Sequence, residues 1–137
     1  MKRLVPIALV LATTLGMHAQ DVAPEALVKF VRLLMSSTGQ TSFACGSNMS
    51  LRFKLESTGV STAATSKLVW ASSEAEVKAG KAANRMVVVP KLEWLKLGGS
   101  VAIVQEDGKP VMYLNLANVK ASGLTLPDAV IKASKVI

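Results

Sequence analysis

Histidine is nearly absent from this 137-residue chain: His18 is the only one, and it sits in an apolar N-terminal stretch. A Ser-His-Asp arrangement, a Cys-His pair and a zinc site built on imidazole therefore have no residues to form them in the remainder of the chain. Cysteine is equally scarce. With Cys45 alone, neither an intrachain disulfide nor a thiolate metal cluster can form. The phosphate cradles G-x-G-x-x-G and G-x-x-x-x-G-K-[ST] do not occur. Carboxylates are few, and their closest groupings have structural uses: Glu74 and Glu76 open an expected helix, and Glu106-Asp107 form an expected hairpin turn. Aromatic residues make up only 4% of the chain, and no Lys/Arg cluster accompanies them, which argues against nucleic acid as a partner. These absences favour a binding or regulatory module over an enzyme, and they imply no cofactor, no metal and no catalytic residue.

At the N-terminus, Lys2 and Arg3 precede an apolar run from Leu4 to Gly16, which closes on Met17-His18-Ala19 before the polar Gln20-Asp21. This is the layout of a secretory signal peptide over residues 1–19, cut between Ala19 and Gln20. A membrane-spanning helix needs roughly 20 apolar residues, more than this run supplies. The expected product is a soluble periplasmic protein that does not insert in the membrane after cleavage. Loss of Lys2 and Arg3 with the leader leaves 14 basic residues against 9 acidic. That modest, evenly spread excess suits an acidic partner surface or an anionic membrane face.

The remainder, residues 20–137, reads as one α/β domain. A first helix is expected from Pro24 to Met35, with Leu27, Phe30, Val31 and Leu34 on one face. A first strand is expected over Thr41–Cys45. Met49 to Glu56 alternates apolar and polar like a strand, yet Asn48 suits a helix cap and Gly59 a stop, so the residues alone leave helix and strand open. Lys67–Ala71 and Arg85–Pro90 read as strands joined by a helix from Ser73 to Ala83, a βαβ unit. A short helix or turn follows over Lys91–Leu97. Ser100–Gln105 and Val111–Leu116 form an antiparallel hairpin about Asp107-Gly108. One or two helical turns are expected over Ala117–Ser122, and a last helix from Thr125 to about Val136. The sum is a mixed, mainly parallel sheet with a C-terminal antiparallel hairpin, flanked by helices.

Three places in the chain merit weighing for function. Cys45 is either a packed core thiol or a reactive free thiol at the carboxyl end of the first strand, where open α/β sheets place ligand crevices. Trp94, with Leu97 beside it, is either core or a partner contact, since tryptophan is enriched at interface hot spots. Asn48-Met49-Ser50 matches a glycosylation acceptor, a short pattern that recurs by chance.

The C-terminal third carries a specific likeness. Leu97-Gly98-Gly99-Ser100-Val101-Ala102-Ile103-Val104-Gln105-Glu106-Asp107-Gly108-Lys109, then Tyr113-Leu114-Asn115-Leu116, Ala121-Ser122-Gly123-Leu124 and the closing Ala133-Ser134-Lys135-Val136 resemble the YfiR family of periplasmic proteins. Lys29-Phe30-Val31 in the opening helix fits as well. The resemblance is sharpest over residues 97–137, and no motif in it is catalytic. It implies a sheet flanked by helices, with a crossover helix at residues 49–56. It also implies an inhibitory role, in which the protein docks on the periplasmic sensor domain of a membrane-anchored diguanylate cyclase of the YfiN type, holding down cyclic di-GMP and biofilm formation. Two departures limit the transfer. Cys45 stands alone, so a redox switch built on paired cysteines does not carry over, and the middle of the chain is short for the family. Oligomeric state is left open, a homodimer included. The alternative from a different class is a periplasmic small-ligand-binding module, using the crevice at the C-terminal ends of the parallel strands near Cys45-Gly46-Ser47-Asn48 and Ala71-Ser72-Ser73.

Overall fold

A computed structural model describes residues 22–137. The expected leader, residues 1–19 with the Ala19–Gln20 cut, lies outside the described residues. The chain is α/β. Among the described residues five strands run β1 (Leu68–Trp70), β2 (Met86–Val89), β3 (Val101–Glu106), β4 (Lys109–Leu114) and β5 (Lys135–Val136), and their order in the sheet is their order in the sequence. β1, β2 and β3 are parallel, β3 and β4 form the antiparallel hairpin, and β5 lies parallel to β4. The hairpin turns on Asp107 and Gly108, both with positive φ (51° and 77°), as a two-residue turn that follows the strand twist requires.

Helices cover both faces, which is why β2 reads as an unbroken apolar run buried throughout. On one face lie α1 (Pro24–Thr38), α2 (Met49–Ser57), α4 (Leu116–Ala121) and α5 (Asp128–Lys132). Their Leu27, Val31, Leu34, Leu51, Leu55, Val119 and Val130 join Leu68, Trp70, Met86, Val88 and Ile103 in the larger core. On the other face α3 (Glu74–Ala82) and a 3₁₀ turn over Leu92–Lys96 close a second core around Val69, Val77, Val87, Val89, Trp94 and Leu95. Alternate residues of each strand serve the two cores, as the period of two dictates.

The stretch left open by the residues, 49–56, is a helix. Asn48 Oδ1 accepts from Leu51 N (3.0 Å). At the far end Gly59 N donates to Glu56 O and Val60 N to Leu55 O, the paired bonds of a Schellman stop. Its alternation arises because two apolar pairs occupy opposite faces: Leu51 and Leu55 are buried, Met49 and Phe53 exposed.

Two expectations are corrected. Thr41–Cys45 is not a full strand; it contributes two bridges, Phe43 to Thr62 and Ala44 to Val69, because the chain turns away into α2 after Cys45. The last helix does not reach Val136. It ends at Lys132, and Lys135–Val136 pair with Tyr113–Leu114. There Lys135 meets Glu106 (3.0 Å) and lies over the Tyr113 ring, contacts a continued helix would forgo.

Candidate functional site

The carboxyl ends of the parallel strands, where a ligand crevice is expected, are held by the chain itself. Ser73 caps α3 by accepting from Glu76 N, which leaves the Glu76 carboxylate free to turn toward the strand ends. Its two oxygens accept from Ser72 N (2.7 Å) and Ser47 N (3.1 Å). An internal carboxylate thus occupies the backbone donors that would otherwise receive an anionic ligand, and it ties the loop after Ala44 to the loop after β1.

A cavity of about 210 Å³ opens beside this clamp, on the α1–α2 side of the sheet. Leu27, Leu51, Trp70, Pro90 and Ile103 supply apolar walls, and Asn48 and Ser50 are its polar side chains. The Trp70 indole N–H is satisfied by Ser72 Oγ (3.0 Å).

The face of α2 turned away from the core is exposed. Phe53 is 76% exposed and Met49 is 63% exposed, one helical turn apart. The charges around them are internally paired: Arg52 with Glu56 (3.1 Å) and Lys54 with Glu25 (3.4 Å). A hydrogen bond from the Thr62 hydroxyl, and then Arg52, hold the Glu56 carboxyl below the usual range. The α2 face therefore offers apolar area bordered by largely neutralised charge. No large apolar side chain among the described residues is more exposed than Phe53.

The residues singled out from sequence lie elsewhere. Trp94 is 8% exposed and packs in the second core, with Lys91 Nζ 5.2 Å from its ring centre. Leu97 is half-buried against the same core. Trp94 presents little surface to a partner, because the 3₁₀ turn lays Trp94 and Leu95 inward to cover β2. Cys45 is a free thiol and buried, and burial pushes its pKa up to about 11. It packs in the larger core. Asn48 of the glycosylation triplet is engaged as the α2 cap through its side-chain oxygen. The structure brings together neither Cys45 and Trp94 nor, among the described residues, any group of three His, Cys, Asp or Glu able to hold a metal. No helix among them is long and apolar enough to cross a membrane.

Sequence reasoning missed Met49 and Phe53 as a surface pair. The signal was present: four apolar residues at i, i+2, i+4 and i+6 between a cap and a glycine cannot all point inward on a helix.

No family model matches the sequence, and no curated protein matches it. Among solved structures the fold is similar to a conserved domain protein from Vibrio cholerae O1 biovar eltor str. N16961 (TM-score 0.64, 14% identity, covering 85% of this chain and 60% of that one). It is also similar to the ABC domain in complex with L-Trp from Streptococcus pneumonia (TM-score 0.57, 13% identity, covering 78% of this chain and 60% of that one). The chain spans about 60% of the length of these neighbours. Identities this low speak to the α/β fold alone.

Proposed function

We propose that this protein is a periplasmic regulator that acts by docking on the sensor domain of a membrane-anchored diguanylate cyclase and holding it inactive. One observation carries the docking half of the reading: Met49 and Phe53 stand exposed, one turn apart, on a helix whose opposite face is locked into the core. A large aromatic left in water with a neutralised charged border has the composition of an interface centre and rim. The choice of partner rests on the resemblance of residues 97–137 to the YfiR family. The mechanism is population shift, in which the regulator binds the inactive state of the sensor domain more tightly than the active one.

The test is co-expression with the host's membrane-anchored diguanylate cyclases, reading cyclic di-GMP and recovery of the cyclase on the tagged protein. The expected result is lowered cyclic di-GMP and recovery of one cyclase, both lost in a Met49→Ser/Phe53→Ser variant that keeps its melting temperature. A folded, abundant wild-type protein that recovers no cyclase overturns the reading.

A second reading has its own observation. The 210 Å³ cavity at the strand ends is walled by apolar side chains, and a structural neighbour was solved in complex with L-Trp. On this reading the protein is a small-ligand-binding module. A saturable melting-temperature rise with a small apolar compound, abolished by filling the cavity through Leu27→Phe, would favour it.

A further inference from the structure

A second cavity of about 220 Å³ lies along the β1 edge of the sheet. Cys45, Gly46, Thr62, Val69, Arg52 and Arg85 are among its lining residues. One of its two arginines has no carboxylate partner among the described residues. Arg85 donates through Nε to Ser66 O (2.9 Å) and through Nη2 to Ala64 O (2.7 Å), both neutral carbonyls. Among the described residues no carboxylate pairs with it. Burial pushes its pKa down, as expected for a cation drawn partly out of water without a counter-ion.

Arg52 reaches the cavity from α2 and commits its Nε to Glu56, which leaves the two terminal nitrogens of its guanidinium. The acidic groups nearby are already engaged. Glu56 is held by Arg52 and the Thr62 hydroxyl, and Glu76, on the Gly46 side, is held by two backbone N–H groups. Two guanidiniums and two carboxylates thus surround this cavity, and Arg85 is the guanidinium that has no carboxylate partner among the described residues.

We propose that this cavity binds a small oxyanion, a carboxylate or a phosphate monoanion, between Arg85 and Arg52. Planar guanidiniums present paired N–H donors that match the oxygens of such groups, and a partly buried cation gains most from a counter-ion. The volume leaves room for a short organic tail on the anion. The proposal does not rest on the docking reading, although Arg52 borders both this cavity and the Met49–Phe53 face.

The test is a titration of the purified protein with sodium acetate and, separately, inorganic phosphate. Ionic strength is held constant with sodium chloride, and melting temperature and the backbone amide resonances of Gly46, Thr62 and Arg85 are followed. The expected result is a saturable rise in melting temperature with at least one of the two anions, with saturable shifts at those amides. Arg52→Gln, an exposed substitution, is expected to weaken the midpoint at least fivefold, and Arg85→Met to abolish it. Should Arg85→Met fail to fold, the Arg52→Gln comparison decides alone. Acetate binding without phosphate binding assigns the site to carboxylates, and the reverse to phosphates. Melting temperatures that track ionic strength only, or binding unchanged in Arg52→Gln, overturn the proposal.

Discussion

Gly80 sits where α3 crosses the sheet, and an added methyl there would meet Val87 Cγ2 at 2.6 Å and Val69 Cγ1 at 3.4 Å. Carbon atoms in contact prefer about 3.5–4.0 Å, so Gly80→Ala demands a movement of about 1 Å. Val87 cannot easily supply it: it is fully buried in β2 and β-branched, with one strongly preferred rotamer. The helix must lift instead, loosening Val77 and the second core. Two effects oppose. Alanine gains about 1 kcal/mol over glycine in a helix interior, whereas overpacking a filled core costs about 1–3 kcal/mol. At 2.6 Å the steric effect belongs at the upper end of its range, so the net expectation is a destabilisation of about 1–2 kcal/mol. That corresponds to a melting temperature lower by roughly 3–10 °C for a domain of this size. Urea unfolding with an unchanged m-value is the assay. A double-mutant cycle with Val87→Ala isolates the contact, and the pair is expected to couple favourably by about 1 kcal/mol, since the smaller residue makes room for the methyl. A Gly80→Ala protein as stable as wild type, or more stable, refutes the claim that this close approach dictates the glycine.

Glu76→Ala is expected to lower stability by about 1–2 kcal/mol and to remove exchange protection from the Ser47 and Ser72 amides, with Glu76→Gln retaining part of both. Unchanged protection would mean that the carboxylate does not hold those loops. Cys45, with its pKa pushed up to about 11, should resist iodoacetamide at pH 8 in the native protein and react fully in denaturant. Rapid native alkylation would revive it as a reactive thiol. Around β5, the Tyr113 hydroxyl and then Lys135 hold the Glu106 carboxyl low, while Glu106 holds Lys135 high. A depressed carboxyl stabilises above its unfolded value and loses that contribution as pH falls through its folded value. A raised ammonium stabilises below its unfolded value and loses that contribution as pH rises through its folded one. Exchange protection of the Ile137 amide, bonded to Leu114 O, should therefore be greatest between the carboxylate and lysine ranges. Tyr113→Phe should move its acid-side loss to higher pH, and an unmoved profile would show that the cluster does not anchor the strand.

Most of the scaffold was legible because its signals are local. Pro24 and Glu25 open α1, Ser73 caps α3, Asp107-Gly108 sets the hairpin, and Asn115 caps α4. Asn115, one of the residues behind the family resemblance, also donates from Nδ2 to Leu95 O (3.0 Å), so its role here is architectural. What escaped the sequence was set by distant partners. A two-residue strand such as β5 has no period to detect. Its pairing depends on the open edge of β4 and on Glu106, which sits 29 positions earlier. Core and contact stayed open for Trp94 because a short amphipathic piece beside two glycines does not reveal which face the sheet will claim. The exposed Met49–Phe53 pair could be read only once residues 49–57 were known to be helical. The Arg52–Arg85 cavity has no linear signature, since the two arginines come from opposite ends of the α2–α3 region.

The coincidence of strand order and chain order also bears on how the molecule folds. Among the strand pairings and bridges, the widest reach is from Ala44 to Val69, and the tightest is the β3–β4 hairpin. Each strand can therefore add to a neighbour made shortly before it, without waiting for a remote segment to return, and the loop-closure entropy of each addition stays small. Low sequence separation between partners places the chain toward the fast side of mixed α/β domains. The hairpin is the natural first nucleus, with β2 and then β1 accreting on one flank and β5 closing the other.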